Sequence, residues 1–446
     1  MCRILLTLSL IAVTLISYSQ KKMITYYDEE ETIIKEEYFV DKINTDRLEG
    51  EYKKYHINGE ISTIGQFRDG YKDGEFKEYF ENGKLNRILH FSNGIKDGAV
   101  AVYDINGNLI QTASFADNKL TDSLHIYYPS GELRSKGNFV NDRPDGLLME
   151  YYEDGTVKRK ITYNNGEQTG ITKTYYPNGQ LQTDGNYLKG MLNGFYTTYF
   201  SNGQVETTSS LTEGMKSGVF KNYDSLGNLL LIGNYLSGVL HGENKAYYSN
   251  GNIKHEFTYE NGKLVGDNKQ YFSDGNIEKE FSVSKDGVKT IKLYGSEGNL
   301  KKIEKYLDDL PTGKWSYYDS AQVLIKTTEF TKGKLNGFVK EYYPSGAVQK
   351  EFPFKFGAQY GDQKTYYETG ELESTTPVRN DIKHGLYQKF NKQGIVIATG
   401  EYAGNKKVNE WKIFDDKGDW LKTDIYNNDK YIRTIEKEEE QESSDN

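Results

Sequence analysis

A glycine recurs every 24 residues along almost the whole chain, and no other feature limits the fold so severely. It stands at Gly59, Gly83, Gly107, Gly131, Gly155, Gly179, Gly203, Gly227, Gly251 and Gly275, usually after Asn, Asp or Ser. The step to Gly298 is 23 residues, and the spacing of 24 then resumes through Gln322, Gly346, Gly370, Gly394 and Gly418. A fixed period of this length marks a repeat protein, in which each unit completes its core against its neighbours. About sixteen units fit the chain.

Each unit follows one grammar, seen whole at Tyr175-Tyr176-Pro177-Asn178-Gly179. Leu181 follows two residues after the glycine and Tyr187 eight after; Gly190 and Gly194 then bracket a second loop before Phe195 and Tyr199. Two turns per unit leave runs of about six to eight residues, too short for helices and right for strands. Pro177 suits the first central position of a type I turn, and Gly179 the left-handed position that closes a bulged hairpin. By period-two alternation Phe195, Thr197 and Tyr199 share one face, as do Leu181, Thr183, Gly185 and Tyr187. With Tyr199 as core, its truncation to Ala is expected to cost about 3–5 kcal/mol. The expectation is an all-β fold: an elongated, single, twisted antiparallel sheet of about sixteen stacked 24-residue β-hairpins.

The ends read differently. Residues 1–19 carry Arg3, an apolar stretch from Ile4 to Ile16, and small residues before Gln20, the pattern of a secretory signal cleaved near Ser19-Gln20. That stretch is shorter than the ~20 residues a membrane-spanning helix needs. Cleavage removes Cys2, the single cysteine, so the exported chain has no disulfide, thiolate metal site or cysteine nucleophile. Residues 20–47 read as an atypical capping unit with Glu29-Glu30-Glu31 where a turn belongs, and 48–432 as the array. Residues 433–446, acidic and without aromatics, read as a disordered tail. Two interior stretches break the grammar. Asn118 to Ser123 lacks both loop glycines, and 282–322 lacks several and contains the one-residue deletion. Drift in a tolerant repeat and a bend or binding notch both fit the second.

The motif aromatic-aromatic-x-Asn-Gly-x-apolar, then Gly-x-aromatic, then Gly-x-x-x-Gly-x-aromatic-x-x-Tyr, resembles the MORN repeat in its bacterial variant form, as in the YwqK family of toxin-antitoxin antitoxins. Tyr175 to Tyr199 carries the whole pattern, and the resemblance covers nearly all of 48–432. It implies stacked hairpins without catalytic activity and a role in scaffolding, protein contact or membrane association. The antitoxin name implies a toxin as partner. Two features depart from it: the signal places this chain outside the cytoplasm, and its acidic charge gives anionic lipid little to hold.

Composition narrows the function classes. With 56 Lys plus Arg against 65 Asp plus Glu and a pI near 5.5, the chain has no electrostatic case for nucleic acid, and membrane association is not expected. A mean hydropathy of −0.76 excludes a polytopic membrane protein, while 38 Tyr and 20 Phe argue against wholesale disorder. No cofactor or metal site is expected. His241 and His384 share one phase, where sister units hold turn formers such as Asp145 and Asn193, and Asp104, Asn106 and Asn108 lack the distal glutamate of a calcium loop. No nucleophile elbow or phosphate loop occurs, so an enzyme is not expected.

One feature points to binding. If Tyr175 packs inward, Tyr176 points outward, in phase with Phe80, Tyr128, Tyr152, Phe200, Tyr248, Phe272, Tyr343 and Tyr367. Such a row either stacks between neighbouring hairpins or forms a ladder for a partner chain or for sugar rings. The chain therefore reads as a secreted, non-enzymatic repeat protein that presents a sheet surface to another protein, with envelope-glycan binding through these aromatics as the alternative.

Overall fold

The computed structural model describes residues 20–436, so the signal expected at 1–19 and the tail beyond Glu436 lie outside the described residues. Within the described residues every regular element is a β-strand and every pairing is antiparallel. The chain divides into two units, residues 1–218 with 225–227 and residues 219–224 with 228–446.

The repeat from Tyr175 to Tyr199 shows why these residues form hairpins. Strand Leu181–Leu188 pairs with Gly170–Tyr175 on one side and with Met191–Tyr199 on the other. The first turn is the bulged hairpin the sequence predicts. Gly179 N–H donates to the Tyr176 carbonyl at 2.9 Å, Tyr176 N–H donates to the Gln180 carbonyl at 2.8 Å, and Gly179 has φ +83°. The second turn is tighter than the expected loop. Leu188 pairs with Met191, leaving only Lys189 and Gly190 between them at φ 51° and 77°, the type I′ geometry that matches strand twist. Gly194 lies inside the next strand, where a bulge falls opposite Gly185 to Tyr187.

The first bulge also corrects the expected face. Tyr175 pairs with Leu181 while Thr174 pairs with Thr183, so Gln182 is the extra residue and Leu181 turns away from Thr183, Gly185 and Tyr187. Two faces result. One, the glycine face, carries the register row Leu148, Ile161, Thr172, Gly185, Tyr196 and Ser209. The other, the lysine face, carries Lys173, Thr197, Tyr175 and Tyr199.

The core sits on the glycine face. In the first unit Phe76, Leu89, Val100 and Ala113 are buried beneath Phe67, Phe91 and Phe115, and Phe76 is 1 % exposed. Rings meet edge to face, Phe67 with Phe76 at 5.6 Å and Phe76 with Phe91 at 5.3 Å. Size alternates along the row. A Cβ on Gly185 would lie 2.7 Å from the Tyr196 ring, and one on Gly400 2.1 Å from Trp411. The Gly in Gly-x-aromatic is thus the seat of a ring on the neighbouring strand. Tyr196 and Tyr199 are both half-buried, but Tyr199 lies on the lysine face and Tyr196 on the glycine face against Gly185, so the core position is Tyr196.

The irregular stretches keep the sheet. Asn118 takes the left-handed conformation at φ 64° and its Oδ1 accepts a bond from Lys96 N–H at 2.8 Å, which a glycine could not supply. Across the deletion, a three-residue turn closed by Gly287 N–H on the Ser284 carbonyl replaces the two-residue turn, and the following bulge disappears. Phe281 therefore pairs with Ile291, ten residues on, where Gly185 and Tyr196 stand eleven apart. Gln322 holds the turn glycine's place at φ 63°. In the capping unit the Asp28 carboxylate accepts from Thr32 and Ile33 N–H at 2.9 and 2.7 Å, so the Glu29–Glu31 loop is closed by an aspartate. The last strand, Lys430–Glu436, runs four residues into the segment read as tail.

Candidate interaction surface

The nine aromatics expected to face outward are all half-buried, and the six tyrosines among them share one task. Tyr176 Oη donates to the Tyr199 carbonyl at 2.8 Å, 23 residues along; Tyr128, Tyr152, Tyr248, Tyr343 and Tyr367 make the same bond to Tyr151, Tyr175, Tyr271, Tyr366 and Phe390. His56, in phase with them, meets the Tyr79 carbonyl through Nε2. Cations lie over several of the rings, Arg134 at 5.9 Å from Tyr128 and Lys158 at 5.4 Å from Tyr152. Phe80, Phe200 and Phe272 hold the phase without the hydroxyl. These side chains strut one repeat against the next.

The turn asparagines do likewise, a role the sequence reading missed. Asn178 Nδ2 donates to the Ser201 carbonyl at 2.9 Å, Asn202 to Ser225 and Asn250 to Ser273 at 2.8 Å each. At the other edge of the sheet, Gly190 N–H donates to the Gln168 carbonyl at 2.9 Å. The signal was the 24-residue recurrence of Asn beside Gly, but only neighbouring turns in space reveal its partner. Asp104 spends its carboxylate inside its own turn, accepting from Asn106 and Asn108 N–H at 2.8 and 2.9 Å. His241 and His384 stand at the bulge after the second turn, where their backbone N–H groups donate across to the Asn234 and Pro377 carbonyls.

What remains available is the lysine face. In the second unit it is balanced: Lys245, Glu256, Lys269, Glu280 and Lys292 alternate in register. Lys245 pairs with Glu256 at 3.0 Å and Lys292 with Glu280 at 3.3 Å. Tyr271 and Tyr294 donate to Glu256 and Glu280 at 2.8 Å, and burial, reinforced by these carboxylates, pushes each phenol up to about 12. A hollow of ≈ 310 Å³ opens there, lined by Asp267, Lys269, Glu280, Ser282, Thr290 and Lys292 among others.

Between Leu147 and Phe195 of the first unit the same face is apolar and cationic. Leu147, Ile171 and Phe195, two residues before Met149, Lys173 and Thr197 in three successive repeats, are 48 %, 49 % and 45 % exposed. Leu188 and Met191 stand exposed at the neighbouring turn. Among the described residues no group of three His, Cys, Asp or Glu is placed to hold a metal ion, and no helix is long and apolar enough to cross a membrane.

Comparison with known proteins agrees with the architecture. The MORN repeat variant family matches residues 72–93, 126–141, 144–165, 168–189, 240–261, 335–356 and 359–380. No curated protein matches. Among solved structures, a Photorhabdus luminescens Tc holotoxin pore carrying a TccC3 substitution is 13% identical over 84% of this chain, at a TM-score of 0.13. A TcdB2-TccC3 crystal structure is 10% identical over 91% of it, at 0.15. This chain spans only 24% and 30% of those chains, and at such TM-scores the likeness carries nothing about fold or function. The seven matched segments, all inside the periodic array, are MORN repeat variants.

Proposed function

We propose that this chain is an exported, non-enzymatic scaffold whose open sheet face binds another protein. One observation carries the reading: the recurring tyrosines, asparagines and glycines are consumed in holding repeats together, which leaves the non-recurring side chains of the lysine face as the part that differs along the array. Export rests on the signal pattern of residues 1–19, and a toxin is the kind of partner the antitoxin resemblance names. The glycan alternative asks Tyr128, Tyr152 and Tyr176 to stack on sugars although each hydroxyl already bonds the next repeat, and that engagement weighs toward a protein partner.

The test immobilises the full chain from Gln20 onward and challenges it with the parent cell's secreted and envelope fractions. One dominant protein, retained when Tyr128, Tyr152 and Tyr176 are changed together to Phe, supports the reading. Polysaccharide held by the wild type and lost from a triple Ala variant supports the glycan alternative. Hydrolase activity in the purified chain would overturn both.

A further inference from the structure

Leu147, Ile171 and Phe195 form a ladder. Each stands on every second strand, and the intervening partners on the same face are small and polar: Thr162 opposite Leu147, Asn186 opposite Ile171, Ser210 opposite Phe195. Strands lie about 4.8 Å apart, so successive rungs are about 10 Å apart. An α-helix rises 1.5 Å per residue, and positions i and i+7 on one stripe are therefore about 10.5 Å apart. A helix laid across the strands meets each rung with the same stripe. Its i+3 and i+4 side chains fall over the low Thr and Asn positions between rungs, the pattern by which amphipathic helices anchor in grooves.

The two borders of the ladder differ in charge. On the second-turn side stand exposed Leu188 and Met191. On the other side runs the register row Lys136, Met149, Lys160, Lys173 and Asp184, three cations against one carboxylate in a chain whose net charge is −9. Lys173 meets Asp184 at 3.3 Å, and Lys160 lies 5.7 Å from the centre of the Tyr175 ring. In preceding repeats the rung position holds Glu75, Ala99 and Ser123, and in the following ones Val219, 46 % exposed, then Glu243 and Asp267, so the apolar run is local. Resting on the protein-scaffold reading, we propose that Leu147, Ile171 and Phe195 seat an amphipathic α-helix of a partner protein, with its apolar stripe on the rungs and an acidic flank toward Lys136, Lys160 and Lys173. The chain's overall negative charge disfavours an anionic membrane as occupant.

The test measures fluorescence anisotropy of a labelled 18-residue helical peptide with Leu at i, i+3, i+7, i+10 and i+14 and Glu along one flank, titrated with the full chain from Gln20. We expect binding that weakens as salt rises, and at least tenfold weaker binding of a twin peptide carrying Lys in place of Glu. The double variant I171S/F195S should lose at least tenfold in affinity with an unchanged circular dichroism melt. The variant K160E/K173E should prefer the Lys peptide, a reversal that misfolding could not produce. Equal affinity for both peptides, indifference to I171S/F195S, or stronger capture of the chain by phosphatidylglycerol vesicles than by the Glu peptide would overturn the proposal. A natural partner that I171S/F195S still holds would move the site elsewhere while leaving the scaffold reading intact; a wild type that captures none would sink that reading itself.

Discussion

Residues 147–210 of the first unit and 243–304 of the second share the same antiparallel pairing and, apart from the altered turn at Ser284–Gly287, the same turns, yet their lysine faces have opposite characters. The first sets Leu147, Ile171 and Phe195 beside Lys136, Lys160 and Lys173, a row with one carboxylate, Asp184, on Lys173; the second sets Glu243, Asp267 and Thr290 beside an alternating lysine and glutamate row in which Lys245 pairs with Glu256 and Lys292 with Glu280. On the glycine face both stretches carry a core, with Tyr196 over Gly185 in one and Phe257 against Phe281 at 5.4 Å in the other. The difference teaches where selection for folding is free to relax. Glycine-face positions answer to packing, whereas lysine-face positions can take any side chain that suits a strand.

Substitutions can break that contrast. The largest effect is expected on the glycine face: Phe281→Ala and Trp411→Ala should each cost about 3–5 kcal/mol in urea unfolding, since both rings are buried. Gly185→Val should follow at about 1–3 kcal/mol, because its Cβ meets the Tyr196 ring. A melt unchanged by Gly185→Val would mean that the ring is not seated there. Tyr176→Phe and Tyr248→Phe should cost about 1 kcal/mol each, equally in both units, by removing one hydrogen bond between repeats.

A smaller effect separates the two regions by pH. Tyr271 and Tyr294 have folded pKa values raised from 10.0 to about 12, so the folded chain holds these protons more tightly than the unfolded one. Their contribution is full below about pH 10 and is lost as pH rises toward 12. A phenolate absorbance titration should show a late-ionising fraction that shrinks in the Tyr271→Phe, Tyr294→Phe double variant. Smallest of all, Phe195→Thr and Ile171→Asp, which borrow the second unit's chemistry, should move stability within about 0.5 kcal/mol each. A loss of several kcal/mol would show that the ladder belongs to the core.

Much of this was legible beforehand. The period, the first turn of each regular unit, the strand runs and the Pro-Asn-Gly hairpin follow from residues whose backbone preferences act locally. The faces were harder. Alternation alone groups Leu181 with Tyr187, and only the extra residue Gln182 turns Leu181 over. Tyr196 and Tyr199 are equally plausible core residues by type, and the choice between them depends on which stands opposite a glycine. The aromatic row stands beside the turns, half-buried where an outward course was expected, and its hydroxyl partners lie 23 residues away and become neighbours only when repeats stack.

By itself, then, the sequence determined the repeat, the hairpins and the phase of the Asn-Gly turns, because glycine, proline and asparagine restrict φ and ψ within a few residues. Tertiary structure decided which face is core, how a deleted residue is absorbed by giving up a bulge, and which apolar side chains stay outside. Those outcomes depend on contacts between strands, where a single bulge inverts the alternation and a missing Cβ makes room for a ring.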